Sequence, residues 1–310
     1  MNQKYVLGIG AANVDITGKS KKELIMKDSN PGFMHVSIGG VTRNVLENIA
    51  RLKHPCKLIS ALGNDLYGQM IESYSSQAGI DMSNCLHVDN TSSSTYLAIL
   101  NNNGDMHLAL SDMHIIDNIT VDVLKDRFDL IRNAEVITFD PCLKEEVIDF
   151  ICRECSKYAR VFCDPVSSAY AGRLKPYVGY VDTLKPNEME LAILAEHEIS
   201  NEFDMIQACR ILTEKGVRRI FVSRGSKGCM YYDRQGHLYF KHLKPVEDMV
   251  NASGAGDSFM AGVIYSYVNG FNTEKTIDYA LACGIAAINS EMTINPDLGI
   301  EMIEKIIERG

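Results

Sequence analysis

The feature that most constrains this fold is an alternation of short apolar runs with amphipathic helical stretches. Buried strands are predicted at residues 6–9, 57–60, 136–139, 161–163 and 220–222. Helices are predicted at 43–52, 68–77, 144–158 and 205–215, and three more follow at 256–268, 273–290 and 299–308. Strand–helix alternation predicts an α/β fold in which helices cover both faces of a mostly parallel sheet.

One region breaks this alternation. Two apolar runs, 95–100 and 106–110, flank the sequence NNNGD at 101–105, and an Asn-Gly turn between apolar runs is a strong hairpin signal. An isolated hairpin is only marginally stable in water, so it needs further strands. Residues from about 12 to 38 are poorly helical and can supply them. We therefore expect a small antiparallel β lid, formed by about 12–38 and 92–114.

Composition and charge exclude several classes of protein. The 310 residues carry a formal net charge of −9, which argues against binding nucleic acid through phosphate contacts. A small anionic cofactor is compatible with this charge, because a local loop can create a positive potential. No run reaches the roughly 18 apolar residues of a membrane span, and no secretory signal is evident, so a cytoplasmic protein without membrane association is expected.

The nine cysteines are scattered and odd in number, as is typical of reduced thiols. Only Cys152 and Cys155 have C-x-x-C spacing, and no second ligand pair accompanies them. We interpret them as two neighbouring thiols on a helix rather than as a zinc site.

A loop of small residues, Gly254, Ala255 and Gly256, leads into a predicted helix whose first turn carries Asp257. Free N–H groups at a helix start form an anion hole, and phosphoryl transfer needs such a hole together with a carboxylate that accepts the hydroxyl proton. The same sequence also fits an ordinary helix start, at which an acidic residue stabilises the positive end of the helix. The loop is not a Walker A motif, since G-x-x-x-x-G-K-[ST] is absent from the sequence.

Six motifs along the chain strengthen the kinase interpretation. They are GIGAANVD (8–15), GGVTRN (39–44), GNDLYG (63–68), KPNEME (185–190), SRGSKG (223–228) and NASGAGD (251–257). In this order they resemble the ribokinase-like (PfkB) carbohydrate kinases, whose D-T-x-G-A-G-D motif ends in the catalytic base. The resemblance covers nearly the whole chain. It implies one three-layer ribokinase-like domain over residues 1–310 that uses ATP and Mg²⁺, with Asp257 as the base.

The resemblance also implies roles for the substrate-side residues. Asp15 and Asn44 would hydrogen-bond sugar hydroxyls, next to Asn13 in the same N-x-D segment, while Gly39 and Gly40 let the ring approach the backbone. Residue chemistry agrees, because Asn donates and accepts while Asp accepts from two hydroxyls. Without the resemblance, an Asn and an Asp directly after a strand also fit a simple turn.

On the nucleotide side, the resemblance implies that Asn187 and Glu190 organise Mg²⁺, with Glu190 acting through water. It further implies that Ser223, Gly225 and Gly228 line the ATP phosphates. The residues alone also fit a capped helix start and an ordinary turn.

Asn251 departs from the family pattern, which often has Asp at this position as part of a monovalent-cation site. Asn keeps an oxygen ligand but lacks the charge. This difference weakens the case for activation by potassium.

Further stretches resemble a branch of the family that phosphorylates the 5′-hydroxyl of a C-nucleoside. They include DSNPG (28–32), SSTYLAIL (93–100), GDM (104–106), Asn251 and NPDL (295–298). The candidates for binding the uracil ring and ribose are Ser94, Thr95, Tyr96, Asp112 and Asp140. Asp140 is included because ligands gather at the carboxyl ends of parallel strands and it follows the predicted strand 136–139.

Two other interpretations stay open from the sequence. The chain fits another sugar or nucleoside kinase of the ribokinase or adenosine kinase type, or a non-catalytic nucleoside sensor of the same fold. The intact GAGD at 254–257 argues against the sensor. The apolar hairpin also predicts a homodimer that forms through the lid.

Overall fold

The computed structural model describes residues 4–244 and 253–310. The strands in these ranges are β1 (Val6–Ile9), β2 (Asn13–Ser20), β3 (Gly32–Gly39), β4 (Cys56–Ile59), β5 (Ala61–Gly63), β6 (Ile80–Asp81), β7 (Leu86–Val88), β8 (Thr95–Leu100), β9 (Met106–Asp112), β10 (Val136–Phe139), β11 (Arg160–Cys163), β12 (Thr183–Leu184), β13 (Arg219–Ser223), β14 (Cys229–Asp233) and β15 (Leu238–Lys241). The helices are α1 (Val41–Arg51), α2 (Leu66–Ala78), α3 (Val121–Asp126), α4 (Phe128–Asn133), α5 (Glu145–Arg153), α6 (Ser168–Leu174), α7 (Glu188–Ala195), α8 (Glu202–Lys215), α9 (Ala255–Val268), α10 (Thr273–Ile288) and α11 (Ile300–Arg309).

The large sheet has the order β15-β14-β13-β12-β11-β10-β1-β4-β6. The pairs from β13 to β6 are parallel, and β14 and β15 extend the sheet in antiparallel fashion at one edge. The prediction of a mostly parallel sheet is therefore confirmed. The helix predicted at 144–158 is shorter than expected, because α5 ends at Arg153 and the short 3₁₀ turn Cys155–Lys157 follows.

Helices cover both faces of this sheet, which confirms the predicted three-layer α/β architecture. Alternate residues of each strand point to opposite faces. Leu7 and Ile137 pack with α5 and α8 in one core, whereas Val6 and Phe162 pack with α1, α9 and α10 in the other. Strands buried on both faces explain why the sequence shows continuous apolar runs.

A second, four-stranded sheet, called here the small sheet, has the order β3-β2-β8-β9. Its outer pairs are antiparallel, as predicted, and the hairpin of β8 and β9 lies where the Asn-Gly turn placed it. The central pair of β2 and β8 is parallel. This difference arises because β2 and β8 belong to separate hairpins that the chain connects through the large domain, and parallel neighbours need such a crossover.

The two faces of the small sheet differ in chemistry. The strand register places Asp15, Ser37, Tyr96 and Ser111 in one cross-strand row, and this face is polar. The next rows form an apolar outer face of Met34, Val36, Ile16, Leu97, Ile99, Leu108 and Leu110. Met34, Leu108 and Leu110 are 66%, 54% and 63% exposed. An exposed apolar face of this kind marks an interaction surface.

The cysteines are free thiols, and all but the half-buried Cys142 are buried. Cys152 lies on α5 and Cys155 in the turn after it. Burial raises the pKa of the Cys155 thiol to about 12. Among the described residues there is no cluster of three or more potential metal ligands of the His, Cys, Asp or Glu type. None of the helices in the described ranges has the length and apolarity needed to cross a bilayer.

Candidate active site

The candidate site lies at the point where the order of the large sheet reverses. The chain passes from β1 to β4 on one side and later returns to β10 on the other side of β1. Such a switch point leaves a crevice at the carboxyl ends of the strands, where ligands bind in open α/β sheets. Asn13 follows β1 and Asp140 follows β10 at this edge.

A cavity of about 830 Å³ opens here, between the polar face of the small sheet and the start of α9; we call it the central cavity. Of the predicted site residues, it is lined by Asn13, Asp15, Gly40, Asn44, Tyr96, Asp140, Gly254 and Asp257. It is also lined by residues that the sequence did not single out, including Thr17, His35, Ser37, Ser111, Tyr170 and Thr293. Period-two alternation from Asp15 and Tyr96 was the signal that could have found Thr17 and the facing residues of β3 and β9.

Four predicted substrate residues, Gly39, Ser94, Thr95 and Asp112, do not line the central cavity. Ser94 is buried, and its carbonyl accepts a hydrogen bond from the Val14 N–H. Thr95 and Asp112 are cross-strand partners in the row next to Tyr96, so they belong to the opposite face of the small sheet. Strand alternation therefore separates Tyr96, which reaches the central cavity, from these neighbours.

Asp257 stands in the first turn of α9. Gly254 precedes this helix with φ 74°, a left-handed conformation that favours glycine, and a side chain there would clash with the Thr293 carbonyl. The N–H of Ser258 makes a helical bond to the Gly254 carbonyl, 2.9 Å. The N–H groups of Ala255, Gly256 and Asp257 precede that bond, so they form the positive end of the helix.

The Asp257 carboxylate is held by Asn44, whose Nδ2 donates to Oδ2 at 2.8 Å. Burial, together with the negative charge of Asp164, raises the pKa of Asp257 to about 7. The Asn44 hydrogen bond and the cations Lys185 and Arg43 oppose this shift. A carboxyl group whose pKa lies near neutral pH is well suited to accept a proton from a hydroxyl.

A buried ion pair lies beneath the start of α9. Lys185 Nζ and Asp164 Oδ2 are 2.7 Å apart, and both side chains are 7% exposed. Lys185 Nζ would be 2.9 Å from a Cβ at Gly256, so a side chain there would displace the ammonium group. Burial lowers the pKa of Lys185, but the charges of Asp164, Asp257 and Glu190 outweigh it and raise the pKa overall.

Neither Lys185 nor Asp164 was predicted as a site residue. The available signal was their position directly after β12 and β11, at the same sheet edge as Asp140.

On the wall of the small sheet, Asn13 Nδ2 donates to Asp15 Oδ1 at 2.6 Å. Burial raises the pKa of Asp15, while the Asn13 hydrogen bond and the Arg43 charge oppose the rise. Gly39 lies directly behind this carboxylate, where any side chain would clash with it. The pair therefore presents a carboxylate and an amide to the central cavity, which suits a ligand rich in hydroxyl groups.

Asp140 is fully buried, and protein groups already use its carboxylate. Oδ2 accepts from the Ala11 N–H at 2.9 Å and from the Thr42 hydroxyl at 2.6 Å, and Oδ1 accepts from the Cys142 N–H at 3.2 Å. These bonds join the segments that follow β1 and β10 to the start of α1. The geometry favours a role in fixing the cavity floor.

The predicted nucleotide residues lie at the start of α7. Asn187 and Glu190 form a capping box, with 2.9 Å bonds from Asn187 N to Glu190 Oε2 and from Glu190 N to Asn187 Oδ1. Burial raises the pKa of Glu190, and the Asp164 charge adds to this effect while the Asn187 N–H opposes it. The cap uses one Glu190 oxygen.

Ser223, Gly225 and Gly228 belong to the turn between β13 and β14. The Ser223 N–H donates to the Pro186 carbonyl at 2.9 Å, which holds this turn against the start of α7. A Cβ at Gly225 would meet nothing within 4 Å, so the turn is open at this point. Asn251, the predicted departure from the cation site, lies outside the described residues.

Comparisons with known proteins fit this geometry. Residues 3–298 match the model of the pfkB family carbohydrate kinases. The chain is 34% identical to the pseudouridine kinase of Escherichia coli, over 99% of this chain and 97% of that protein. It is 33% identical to the uncharacterised sugar kinase YeiI of the same organism, over 96% of this chain and 82% of that protein.

Among solved structures, Arabidopsis thaliana ribokinase complexed with ribose and ATP has a TM-score of 0.88 at 20% identity. The superposition covers 99% of this chain and 100% of the ribokinase chain, so the two share the ribokinase fold.

The raised pKa of Asp257 predicts a pH-dependent effect of Asp257→Asn on stability. An unfolded Asp ionises near pH 3.9, so the wild-type protein loses stability as pH rises from about 4 towards 7, whereas Asn has no such dependence. Relative to wild type, the variant should gain roughly 2–3 kcal/mol in unfolding free energy between pH 5 and pH 8, measured by urea denaturation. Asp122→Asn, on the exposed surface of α3, is the control. A gain that is equal at both pH values would contradict the raised pKa.

Proposed function

Because the chain belongs to the pfkB family of carbohydrate kinases, we propose that it transfers the γ-phosphoryl group of ATP to the 5′-hydroxyl of pseudouridine. A phosphotransferase with an alcohol acceptor follows from the family; the substrate and the nucleotide are the proposal. The observation that carries it is Asp257, held by Asn44 at the positive end of α9 and facing the central cavity.

In this reaction the residues divide the work of phosphoryl transfer. Asp257 accepts the proton of the attacking hydroxyl, and its near-neutral pKa matches that task. The N–H groups of Ala255, Gly256 and Asp257 stabilise the negative charge that spreads over the transferred group. Lys185, buried beneath Gly256, adds a fixed positive charge close to the same point. The small sheet acts as a lid in this reaction: by closing over the cavity it excludes water.

The nucleotide side fits ATP and Mg²⁺ in its residue chemistry. The open turn at Gly225 leaves space for phosphates beside the start of α7. Glu190 would hold Mg²⁺ through water, since Mg²⁺ keeps several waters and needs few carboxylates. When bound, the ion supplies charge neutralisation on the phosphates. No role in this reaction is assigned to a monovalent cation.

The substrate assignment is supported by the walls of the central cavity. Asn13, Asp15 and Asn44 offer amide and carboxylate groups to ribose hydroxyls. The small sheet presents Tyr96 for contact with a planar ring, and Ser37 and Ser111 in the same cross-strand row can hydrogen-bond the two N–H groups and two carbonyls of uracil. Because YeiI is nearly as similar as the pseudouridine kinase, another sugar or nucleoside is the rival substrate.

We also propose a homodimer through the small sheet. Its outer face is apolar, and Met34, Leu108 and Leu110 are each more than half exposed. A second copy of the same face would bury these side chains, as an isologous interface requires.

A panel of acceptors tests the proposed reaction. With ATP as donor, ADP release should show a higher kcat/KM for pseudouridine than for uridine, adenosine, guanosine or ribose. A preference for ribose or adenosine would refute the assignment. Ligand binding without ADP release for any acceptor would favour a non-catalytic sensor.

Asp257→Asn should lower kcat by at least ~10²-fold, because the amide cannot accept the hydroxyl proton. ATP binding, measured by calorimetry, should change little. Asp122→Asn is the matched control and should keep wild-type turnover. Near-normal turnover in the Asp257 variant would remove this residue from the role of base.

The dimer proposal predicts that the protein elutes in size-exclusion chromatography at twice its 34.5 kDa mass. Leu110→Asp should shift elution towards the single chain, because it buries a charge in the interface. Phe203→Asp, which changes an equally exposed apolar residue on α8, should leave the elution unchanged. A wild-type monomer at micromolar concentration would contradict the proposal.

A further inference from the structure

Arg43 on α1 is buried, with a side chain only 2% exposed, yet it lies behind the cavity rather than in it. Its guanidinium group makes four hydrogen bonds through its five N–H donors. Nε donates to the Gly39 carbonyl at 3.1 Å, Nη1 to Glu47 Oε2 at 2.7 Å, and Nη2 to the Ile38 carbonyl at 3.2 Å and Asn44 Oδ1 at 2.6 Å. A buried arginine is rare because removing its charge from water is costly. The position therefore calls for an explanation.

The contact with Asn44 decides how that amide is oriented. A guanidinium group only donates hydrogen bonds, so the oxygen of Asn44 has to face Arg43. The NH₂ end of the amide then points to Asp257 Oδ2, 2.8 Å away. If the amide turned around, its oxygen would face the carboxylate of the base and repel it.

Arg43 itself is anchored along α1. Glu47, one turn further on, accepts from Arg43 through Oε2 and from Arg51 through Oε1, the latter at 2.6 Å. The Arg51 Nη1 donates to the Pro296 carbonyl at 2.6 Å, which ties this row to the segment before α11. The cation thus has a fixed position with a neutralising partner on the side away from the cavity.

The charge of Arg43 also acts on the carboxylates of the site. The carboxylates of Asp257 and Asp15 both interact with this guanidinium group. Asp257 is faced by Asp164 from the end of β11, by Lys185 from the end of β12, and by Arg43 and Asn44 from α1. Arg43 is one of the two cations that favour the ionised base, and it lowers the pKa of Asp257.

We propose that Arg43 is a positioning residue: it fixes the Asn44 amide so that its NH₂ group holds the base Asp257. This inference rests on the proposed role of Asp257. Arg43 touches no substrate in this arrangement; it acts through Asn44. Glu47 keeps the guanidinium group in place.

The test combines a titration that does not need activity with a double-mutant cycle. In Arg43→Met, the ¹³C carboxyl signal of Asp257, assigned with Asp257→Asn, should titrate about half to one unit higher than in wild type. The kcat should fall ~10-fold or more, with KM for ATP unchanged. In an Asn44→Ala background the same change should alter kcat by less than about twofold, because the residue through which Arg43 acts is already gone.

Arg43→Lys keeps the charge but lacks the planar fork, so it should restore the titration of Asp257 and only part of kcat. If Arg43→Met does not fold, the cycle of Arg43→Lys with Asn44→Ala decides through kcat: a loss that disappears in the Asn44→Ala background supports the proposal, and an additive loss overturns it. An unshifted carboxyl titration together with additive effects on kcat would reduce Arg43 to a structural residue and overturn the proposal. If the wild-type protein phosphorylates no acceptor, the proposed function fails, and the titration alone decides on Arg43: an upward shift supports the interaction and no shift overturns it.

Discussion

The candidate site depends on one hydrogen bond, from Asn44 to Asp257, which joins residues 213 positions apart in the chain. Asn44 belongs to α1, which starts directly after the small sheet, and Asp257 belongs to α9, which packs directly against α1. The bond therefore fixes the position of α1 and the substrate-side residues before it relative to α9, whose positive end faces the negative charge of the transferred group. Because both helices pack in the same core, a shift of either helix would change the distance between base and acceptor.

Around this bond, the buried charges are neutralised by ion pairs within the protein rather than by solvent. Lys185 and Asp164 form a close buried pair beneath α9, and Arg43 pairs with Glu47 behind α1. Each cation is paired, so neither leaves an isolated charge in the interior, where the cost would be high. Burial and the charge of Asp164 raise the pKa of Asp257 towards neutral pH, and the cations Lys185 and Arg43 oppose this rise. Such opposed effects at one carboxyl group are characteristic of functional sites.

Much of this could be predicted from the sequence. Buried parallel strands read directly as apolar runs, and the Asn-Gly turn located the hairpin of β8 and β9. The loop before α9 also identified Asp257, since a glycine with positive φ and an acidic first turn are local features. Pairing between distant segments was less accessible: the parallel contact of β2 with β8, and the ion pair of Lys185 with Asp164, depend on the order of strands in the sheet. Thr95 was expected at the cavity together with Tyr96, but neighbours along a strand point to opposite faces. Ser94 was expected there too, but it precedes β8 and is buried.

The chemistry of the small sheet has a consequence for how such an enzyme can diversify. Tyr96, Ser37 and Ser111, which face the ring of the proposed substrate, lie on β8, β3 and β9, whereas the groups assigned to phosphoryl transfer lie on α9 and at the ends of β11 and β12. Substitutions on the polar face of the small sheet can thus alter which molecule is accepted without touching the base or its ion pairs. The opposite face of the same strands is apolar and exposed, however. Each strand therefore has to satisfy two requirements, one for the cavity and one for the outer face. Only every second residue of these strands faces the cavity, so only substitutions at those positions can change the substrate range without altering the outer face.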